Sequence, residues 1–547
     1  MPHIDLQALT GDDVLDCDIC IIGSGPAGGT IARELSNSRL RVTVLESGDF
    51  ERQDHTDALN DIESVGRPRV MDQWLVRNRI VGGSSHTWAG RCAPFDEIDL
   101  KRRKWVPHSG WPFGINDLEP YLDRTVPYLG LGIGSRFSDD RFWALARRPA
   151  PQPELDVRYL LPFFWQYSRD AKNPYDYMRF GRHLLASLGT NVKLVTNATV
   201  LEINVTASGA AVESVEFASP DGRRRTLSTS TVVLCAGGIE NARILLCSNS
   251  VATSGLGNQN DLVGRFLMDH PRGSVGTFQQ KVSDAQLKRF GCYNVRSTIG
   301  SHLFRHGLRL SPLIQKEEQL LNCSAWIGEV VTPDDPWNAV KRLLRGKSAS
   351  PKDAVAIVAN SGLFVRGLYE YLILRNGLPR KLERLNLDCM CEQRPDRDSR
   401  LTLSDRRDRF GLRLARIDWR VHEDEHRTMR RMAELVSAQF SRLGIEPPLL
   451  DEWVGNGEPF PTSFHDIAHP TGTTRMADNP AEGVVDGECQ VHGVHGLYVA
   501  GSSVFPTSGH CNPTQMIVAL ALRLADTLRS SRTASMKFSS TWTAAQT

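Results

Sequence analysis

Histidines near the C-terminus are the side chains best suited to moving a proton at neutral pH. Five of them lie between residues 465 and 510: His465, His469, His492, His495 and His510. A neutral imidazole can accept the proton of an alcohol, since its unperturbed pKa of about 6.5 lies near physiological pH. Pro470 disfavours a helix that would put His465 and His469 on one face. In an extended segment, His510 and Asn512 would point to the same side. The residue types alone leave open which histidine is the base.

A second candidate for chemistry is the stretch CDICIIGSGPAGGTIARELSNSRLRVTVLESG (17–48), which reads as strand, tight turn, helix and strand. Gly23, Gly25 and Gly28 form the G-x-G-x-x-G fingerprint of dinucleotide binding. They allow, in turn, the tight turn, the approach of a pyrophosphate and close packing of the helix on the strand. Glu46 ends the second strand, where it can accept from ribose hydroxyls and would repel a 2′-phosphate. The pattern predicts a dinucleotide site, argues against NADP, and leaves FAD and NAD open.

The composition sets the class of protein. A chain of 547 residues is too long for one hydrophobic core, so we expect two or more structural domains. The hydrophobic content of 40% and the charged content of 23% are typical of a soluble globular protein, and a net charge of +2 implies no nucleic-acid partner. The eleven cysteines lack zinc-site spacing, so we expect no metal. We find no signal peptide and no apolar run of about 18 residues, and we expect a cytoplasmic protein.

Four further stretches set the fingerprint in a wider pattern. They are VGGSSHTWAG (81–90), VVLCAGGIENARILLCS (232–248), HPTGTTRM (469–476) and HGLYVAGSSVFPTSGHCNPTQ (495–515). In their order and spacing they resemble the glucose–methanol–choline (GMC) family of FAD oxidoreductases. SSHTWAGRC and PTSGHCNPT are most similar to the branch that holds pyranose 2-oxidases, C-glycoside 3-oxidases and glycoside 3-dehydrogenases.

This resemblance implies a fold and a reaction. The fold would be an α/β FAD-binding domain of the Rossmann-like GMC type with an α+β substrate domain that contains an antiparallel sheet. The reaction would be oxidation of a secondary alcohol of a sugar or glycoside to a ketone, with hydride transfer to flavin N5 and His469 as general base. The alternatives are a GMC dehydrogenase that uses a non-sugar alcohol and a quinone or protein acceptor, and a non-redox GMC lyase. The sequence leaves open whether O2 or a quinone accepts the electrons.

The resemblance also implies roles for single residues. His469 stands where the family has its general base, and Asn512 stands where the family has a histidine or asparagine that orients the substrate oxygen. His465 and His510 are candidates for substrate contact. FAD contacts are implied for the fingerprint glycines and for Glu46, Gly82, Gly83, Ser84, Val200, Ala236, Gly501, Asn512, Pro513 and Thr514. The helix predicted to begin at Pro513 would direct its positive end at the flavin, where reduction adds negative charge.

His86 raises the question of how FAD is attached. In several family members a histidine of this loop is bonded to the flavin C8 methyl group, four residues after the second glycine. Here His86 comes three residues after Gly83, and Thr87 occupies the fourth position. A shift of one residue in an extended loop turns a side chain to the opposite side. We therefore expect non-covalent FAD and a packed, hydrogen-bonded His86. If His469 is the base and its pKa is unperturbed, the rate should rise with pH through an ionisation near 6.5.

The spread of the motifs predicts a discontinuous domain organisation. The expected FAD-binding domain comprises 12–105, 190–270 and 465–532, and the substrate-binding domain comprises 106–189 and 271–464. WIGEVV, CMCEQRPDRDSRLTLS and LRLARIDWRV read as strands of an antiparallel sheet, and HEDEHRTMRRMAELVSAQFSRLG reads as a helix that ends at Gly444. The Ser/Thr-rich segment 533–547 is expected to be a disordered tail.

Segment 335–385 is alternately basic and apolar. This pattern predicts two amphipathic helices. They would form a lid or an oligomer contact; the alternative is a contact with a membrane surface or a redox partner.

Overall fold

The structure is a computed structural model, and it describes residues 2–9, 15–69, 72–134, 139–170, 172–173, 176–181, 187–279, 281, 283–297, 300–344, 350–458, 460–461 and 464–544. The described strands form four sheets, one of them all parallel. The predicted fold class, an α/β dinucleotide-binding unit with an antiparallel substrate sheet, is confirmed.

The fingerprint lies on the parallel sheet, called here the central parallel sheet. Its described strands are, in order, His3–Asp5, Val192–Thr196, Val42–Leu45, Ile19–Ile22, Val232–Leu234 and Leu497–Val499. Strands covered on both faces read as unbroken apolar runs, and every residue of Ile19–Ile22 and Val42–Leu45 is buried. Ile22 pairs with Leu45 and with Leu234, so these three strands end at the same edge of the sheet.

A large antiparallel sheet holds most of the remaining strands. Its order is Leu449–Leu450, Arg272–Phe278, Leu382–Cys391, Cys323–Val331, Gly300–Leu310, Leu160–Tyr167 and Arg91–Cys92, and Cys292–Ser297 pairs with Gly300–Leu310. The predicted strands at WIGEVV and CMC are neighbours in it.

Two smaller sheets complete the described strands. One has the order Leu15–Asp16, Arg224–Ser228, Val212–Ala218 and Thr199–Val205, and the other has the order Arg400–Arg407, Arg413–Trp419 and Ile62–Gly66. The predicted strands near 400 and 415 pair antiparallel as expected, but in a sheet separate from the large one. The parallel pairing of Ile62–Gly66 with Arg413–Trp419 links segments that we assigned to different domains. The domain boundaries stay a prediction.

Helices pack on these sheets. The α-helices are Pro26–Glu34, Asp54–Asp57, Glu97–Leu100, Ile115–Arg124, Val126–Leu129, Asp139–Ala146, Gly237–Cys247, Ser283–Phe290, Pro312–Glu317, Pro336–Leu344, Pro351–Ala359, Ser361–Leu368, Glu423–Arg442, Glu452–Asn456 and Thr514–Ala544. Glu423–Arg442 stops two residues before Gly444, which has φ +68 and ends it as predicted. The last helix continues to Ala544, where we expected disorder, and residues 545–547 lie outside the described residues.

Segment 335–385 contains more helix than the two predicted helices. The α-helices Pro336–Leu344, Pro351–Ala359 and Ser361–Leu368 are followed by a π-helix, Tyr369–Ile373. We call residues 336–344 and 350–373 the surface helices, since they hold most of the exposed large apolar side chains described: Val355, Val358, Val365, Leu368, Tyr369, Leu372 and Ile373. No described helix is both long and apolar enough to cross a membrane.

Candidate active site

A cavity of about 460 Å³ lies at the carboxyl ends of the central parallel sheet. Ligands of open α/β sheets bind at this edge, because the strand-to-helix turns present their backbone there. Most residues predicted to contact FAD line it: Gly23, Gly25, Glu46, Gly83, Ser84, Val200, Ala236, Gly501, Asn512, Pro513 and Thr514. The structure therefore brings together, in one cavity, positions that are nearly 500 residues apart in sequence.

The fingerprint glycines serve different purposes. Gly23 has φ +99, and a Cβ on it would lie 2.8 Å from the carbonyl oxygen of Cys235. Gly28 lies behind the cavity, where a Cβ would lie 1.9 Å from the carbonyl oxygen of Gly23. Gly25 precedes the helix Pro26–Glu34, which has no side-chain cap. The first N–H groups of that helix are therefore available to an anionic ligand.

Glu46 is buried at the end of its strand and lines the same cavity. Its Oε2 accepts hydrogen bonds from the Ser24 amide at 3.0 Å and from Ser24 Oγ at 2.6 Å, and its Oε1 accepts from the Gly48 amide at 3.1 Å. Burial raises the pKa of this carboxyl, and the hydrogen bonds from Ser24 and Gly48 oppose that rise. A carboxylate has lone pairs beyond these three bonds, so it can also accept from a ribose hydroxyl.

The glycine-rich loop 81–90 packs against the fingerprint turn. A Cβ on Gly83, which has φ +57, would lie 3.0 Å from the Cα of Gly25. Gly82 has φ +103, and its amide donates to Ser24 Oγ at 3.1 Å. Gly82 is not among the residues that line the cavity, because its backbone is pressed against Gly181 instead. Gly82 supports the loop through this bond, and its contact with FAD stays a prediction.

His86 faces away from the cavity. Its Nε2 lies 3.0 Å from the carbonyl oxygen of Val81, and burial lowers its pKa. The neighbouring Thr87 and Trp88 do line the cavity. His86 is packed and hydrogen-bonded, as we expected, but the physical reason differs from the one we gave. Gly83–His86 is a 3₁₀ helix, not an extended segment, so a shift of one residue rotates the side chain by about a third of a turn.

Two further helices begin at the cavity. Ala236 precedes Gly237–Cys247, which has no side-chain cap, and Gly237 has φ +89 with nothing within 4 Å of a Cβ. Thr514–Ala544 begins one residue later than predicted, so Pro513 precedes it. Together with Pro26–Glu34, three helix N-termini point their partial positive charge at one cavity.

The predicted catalytic pair stands on the cavity wall. Asn512 Nδ2 lies 3.4 Å from His469 Nε2, and Asn512 Oδ1 has no hydrogen-bond partner in the described part of the chain. A separation of 3.4 Å is long for a hydrogen bond. Both groups can therefore turn to a third polar atom placed between them.

A buried ion-pair network holds the backbone of His469. Asp269 Oδ1 accepts from the amides of His469 at 3.0 Å and His270 at 2.8 Å. Its Oδ2 pairs with Arg69 Nη2 at 2.6 Å, and the same Arg69 nitrogen lies 3.2 Å from Asp466 Oδ1. Burial and the nearby His270 lower the pKa of His469 to about 3. The imidazole is therefore neutral at physiological pH, and the ionisation that we expected near 6.5 is displaced downwards.

The other two candidate histidines, His465 and His510, are not among the described residues that line the cavity, and their contact with substrate stays a prediction. His465 is exposed and forms a backbone bridge with Arg272. His510 is fully buried, and its Nδ1 lies 2.9 Å from Asp99 Oδ2 and 3.1 Å from Asn322 Nδ2. A partner carboxylate and complete burial explain why His510 does not reach the cavity.

The large antiparallel sheet supplies the opposite wall. Arg91, Arg272, Trp326 and Met390 line the cavity from its strands. The guanidinium groups of Arg91 and Arg272 lie 5.1 and 5.0 Å from the Trp326 ring. Two cations and an aromatic face can bind oxygen atoms and the apolar face of a polyol.

Two protein families match separate parts of the chain. The family described as GMC oxidoreductase matches residues 395–521, and the family described as FAD dependent oxidoreductase matches residues 18–246. The chain is 24% identical to 2-methyl-1,2-propanediol dehydrogenase of Mycolicibacterium austroafricanum, over 93% of this chain and 94% of that protein. It is 26% identical to the fructose dehydrogenase large subunit of Gluconobacter japonicus, over 94% and 98%. Formate oxidase has a similar fold, with a TM-score of 0.57 and 18% identity over 96% of this chain and 100% of that one.

The chain therefore contains a GMC oxidoreductase domain toward its C-terminus and an FAD dependent oxidoreductase domain toward its N-terminus. It is an FAD-dependent oxidoreductase, as the sequence predicted. The cavity of this protein suits FAD on its own geometry. Gly25, Gly83 and Gly237 leave backbone exposed where a Cβ would intrude, three helix N-termini offer N–H groups to a diphosphate, and Glu46 can bind ribose.

Several residues of the site were not predicted from the sequence. Asp269 and His270 lie in the motif MDHP, to which we gave no role, although a histidine before a proline resembles the start of HPTGTTRM. Arg69 joins them from a segment some 200 residues away. Arg91 and Arg272 lie on strands whose register faces the cavity. The sequence carried no signal for these last three contacts, because they depend on how distant strands pack.

Proposed function

We propose that this GMC oxidoreductase oxidises a secondary alcohol of a sugar or glycoside to a ketone, with FAD as acceptor and His469 as general base. The observation that carries the proposal is the pair His469 and Asn512, whose Nε2 and Nδ2 converge on the cavity wall at 3.4 Å. A base and a hydrogen-bond donor at one point is the arrangement that an alcohol hydroxyl requires.

The two side chains have complementary tasks. His469 is neutral, so Nε2 can take the hydroxyl proton of the substrate. Asn512 Nδ2 donates to the substrate oxygen and fixes its direction, and it stabilises negative charge that develops there. Bound FAD would supply the acceptor for the hydride of the carbinol carbon.

A sugar or glycoside substrate is supported by the opposite wall and by one relative. Arg91, Arg272 and Trp326 offer donors and an aromatic face to a ring with several hydroxyl groups. Fructose dehydrogenase large subunit aligns over almost its entire length. The competing candidate is a non-sugar alcohol, which the likeness to 2-methyl-1,2-propanediol dehydrogenase favours. A GMC lyase would use the same histidine without net reduction of the flavin.

A substrate screen separates these candidates. Purified yellow protein is mixed anaerobically with monosaccharides, O- and C-glycosides, and small diols, and bleaching of the flavin band is recorded. Sugar or glycoside bleaching supports the proposal, bleaching by diols alone favours the non-sugar dehydrogenase, and product formation without bleaching favours a lyase. Repeating the positive reactions in air, with and without a quinone dye, identifies O2 or a quinone as the acceptor.

The FAD contacts proposed here are those that line the cavity, with the fingerprint at their centre. Gly25→Val should yield protein without flavin, because a branched side chain at this position fills the space between the helix N-terminus and Gly83. Gly455→Val is the matched control, because Gly455 is exposed, does not line the cavity and has no atom within 4 Å of a Cβ. A yellow, fully loaded Gly25→Val protein would contradict this placement.

We also propose that FAD is held without a covalent bond, which the position of His86 supports. Its Nε2 is engaged by the carbonyl oxygen of Val81, and its ring lies outside the cavity lining. Acid precipitation of the protein should leave the yellow colour in the supernatant. Flavin fluorescence that stays with the denatured protein band would refute non-covalent attachment.

We also propose that the surface helices form a contact surface for a second molecule. Exposed apolar side chains at Val358, Val365, Leu368 and Ile373 lie beside basic residues such as Arg366, a combination that suits a second copy, a redox partner or a membrane surface. Sedimentation velocity and flotation with anionic and neutral vesicles distinguish these. A protein that is monomeric, binds no vesicle and is reoxidised equally well after Leu368→Ser and Ile373→Ser contradicts a contact role.

A further inference from the structure

His270 is a fully buried histidine beside the proposed base. Its Nε2 lies 3.1 Å from the carbonyl oxygen of Ser508 and 3.0 Å from that of Gly509. Its Nδ1 lies 3.2 Å from Nδ1 of His469, and the two rings meet edge to face with centroids 5.2 Å apart. One nitrogen of His270 therefore faces two acceptors, and the other faces the proposed base.

These contacts determine where the protons are. Carbonyl oxygens only accept hydrogen bonds, so Nε2 of His270 must carry a hydrogen. Burial lowers the pKa of His270, and a neutral ring that is protonated on Nε2 has a bare Nδ1. A bare Nδ1 only accepts, so the hydrogen between the two rings belongs to Nδ1 of His469. The remaining nitrogen of His469, Nε2, then has a free lone pair directed toward Asn512 and the cavity.

We propose that His270 is a positioning residue that fixes His469 as the Nδ1–H tautomer and so keeps Nε2 free to accept the substrate proton. This inference rests on the proposed function, because a general base at His469 needs an unprotonated Nε2, and the contact with His270 explains why Nε2 is unprotonated. A second ring nitrogen commonly sets the tautomer of a functional histidine through the bond that it makes. Here the bond is made to another histidine, and that histidine is oriented in turn by two backbone carbonyls.

The surroundings hold both rings in this relation. Asp269 accepts from the amides of both histidines, and Arg69 balances its charge inside the protein. The carbonyls of Ser508 and Gly509 precede the segment that carries Asn512, so one histidine links the two halves of the catalytic pair. A fixed tautomer matters because an imidazole protonated on Nε2 would donate toward the cavity and could not accept.

Two amide substitutions at His270 distinguish control of the His469 tautomer from a role that consists only of bonding to the carbonyls of Ser508 and Gly509. In His270→Asn the amide oxygen can replace Nδ1 as acceptor, whereas the bonds to Ser508 and Gly509 are lost. In His270→Gln the amide nitrogen can replace Nε2 as donor, whereas the acceptor facing His469 is lost. We expect anaerobic flavin reduction to stay within about threefold of the wild-type rate in His270→Asn and to fall by about tenfold or more in His270→Gln. An anchoring role predicts the reverse order, and that result would overturn the proposal.

Nitrogen-15 NMR of histidine-labelled protein measures the tautomer without reference to activity. The resonances of His469, assigned by their loss in His469→Ala, should show a protonated Nδ1 and an unprotonated Nε2 in the wild type and in His270→Asn. They should shift toward a protonated Nε2 in His270→Gln. A protonated Nε2 in the wild type would overturn the proposal even if neither variant folds. Wild-type flavin reduction by His469→Ala would instead refute the proposed function and leave the NMR result to stand alone.

Discussion

His469 and His510 lie in the same C-terminal part of the chain, but their surroundings give them opposite properties. His469 contacts another neutral histidine and an asparagine at the cavity, and burial lowers its pKa to about 3. His510 is also buried, which opposes its charged form, but Asp96 and Asp99 outweigh burial and raise its pKa. A neutral imidazole can act as a base, whereas a charged one is half of an ion pair. The neighbours, more than the residue type or the depth of burial, decide which of the two a histidine becomes.

The largest effect that this comparison predicts is on stability at His510. His510→Ala removes one partner of a buried pair and leaves the buried Asp99 carboxylate without its hydrogen-bonded imidazole, which should lower the free energy of unfolding by about 3–5 kcal/mol. The protein that remains folded should reduce its flavin at close to the wild-type rate, because His510 does not line the cavity. Chemical denaturation followed by stopped-flow reduction checks both parts. His465→Ala, at an exposed position, is the matched control. A stable but inactive His510→Ala would show that we assigned the two histidines wrongly.

A smaller effect is expected at Asn512. Asn512→Ala removes one hydrogen-bond donor and leaves the proton acceptor in place, a loss of about 0.5–1.5 kcal/mol that corresponds to a rate decrease of up to about tenfold. Its denaturation midpoint should stay near that of the wild type, since Asn512 Oδ1 has no partner in the described part of the chain to lose. Anaerobic reduction at saturating substrate measures the rate. A decrease as large as that of His469→Ala would contradict this division of tasks, since orienting the substrate oxygen would then matter as much as removing its proton.

The smallest effect is an absence of pH dependence near neutrality. A base must be deprotonated, so the rate of flavin reduction rises with pH through the pKa of the base and is flat above it. Because burial and His270 lower the pKa of His469 to about 3, the rate should be flat from about pH 5 to 8. Stopped-flow reduction across that range tests this. A rise centred near pH 6.5 that disappears in His469→Ala would show that the pKa in the loaded enzyme is close to its ordinary value.

The parts of the site that depend on local patterns could be predicted from the sequence. The turn from Ile19–Ile22 into Pro26–Glu34 needs glycine at fixed spacings, and the end of Val42–Leu45 places Glu46 beside it, so the residue types reveal the geometry. His469 and Asn512 were predicted through motifs and lie together on the cavity wall. In each case the same short stretch of sequence determines both the functional side chain and the local backbone conformation.

The contacts that depend on packing could not be predicted. Nothing in the sequence says that Asp99 approaches His510, because a carboxylate more than 400 residues away must be placed by the whole fold. The same holds for His270, whose role follows from a contact of 3.2 Å and not from its motif. We also expected His86 to turn away for a reason based on an extended loop, although the loop is a 3₁₀ helix.

The most direct test of the central claim is flavin reduction by His469→Ala under anaerobic conditions, measured beside His465→Ala. His469→Ala should bind FAD normally and reduce it more slowly by about 10²-fold or more, because the hydroxyl proton loses the imidazole that is placed to accept it. His465→Ala, four residues away at the surface, should reduce flavin at the wild-type rate. If His469→Ala reduces flavin as fast as the wild type, while retaining FAD and its fold, then His469 is not the base and the account of this site is wrong.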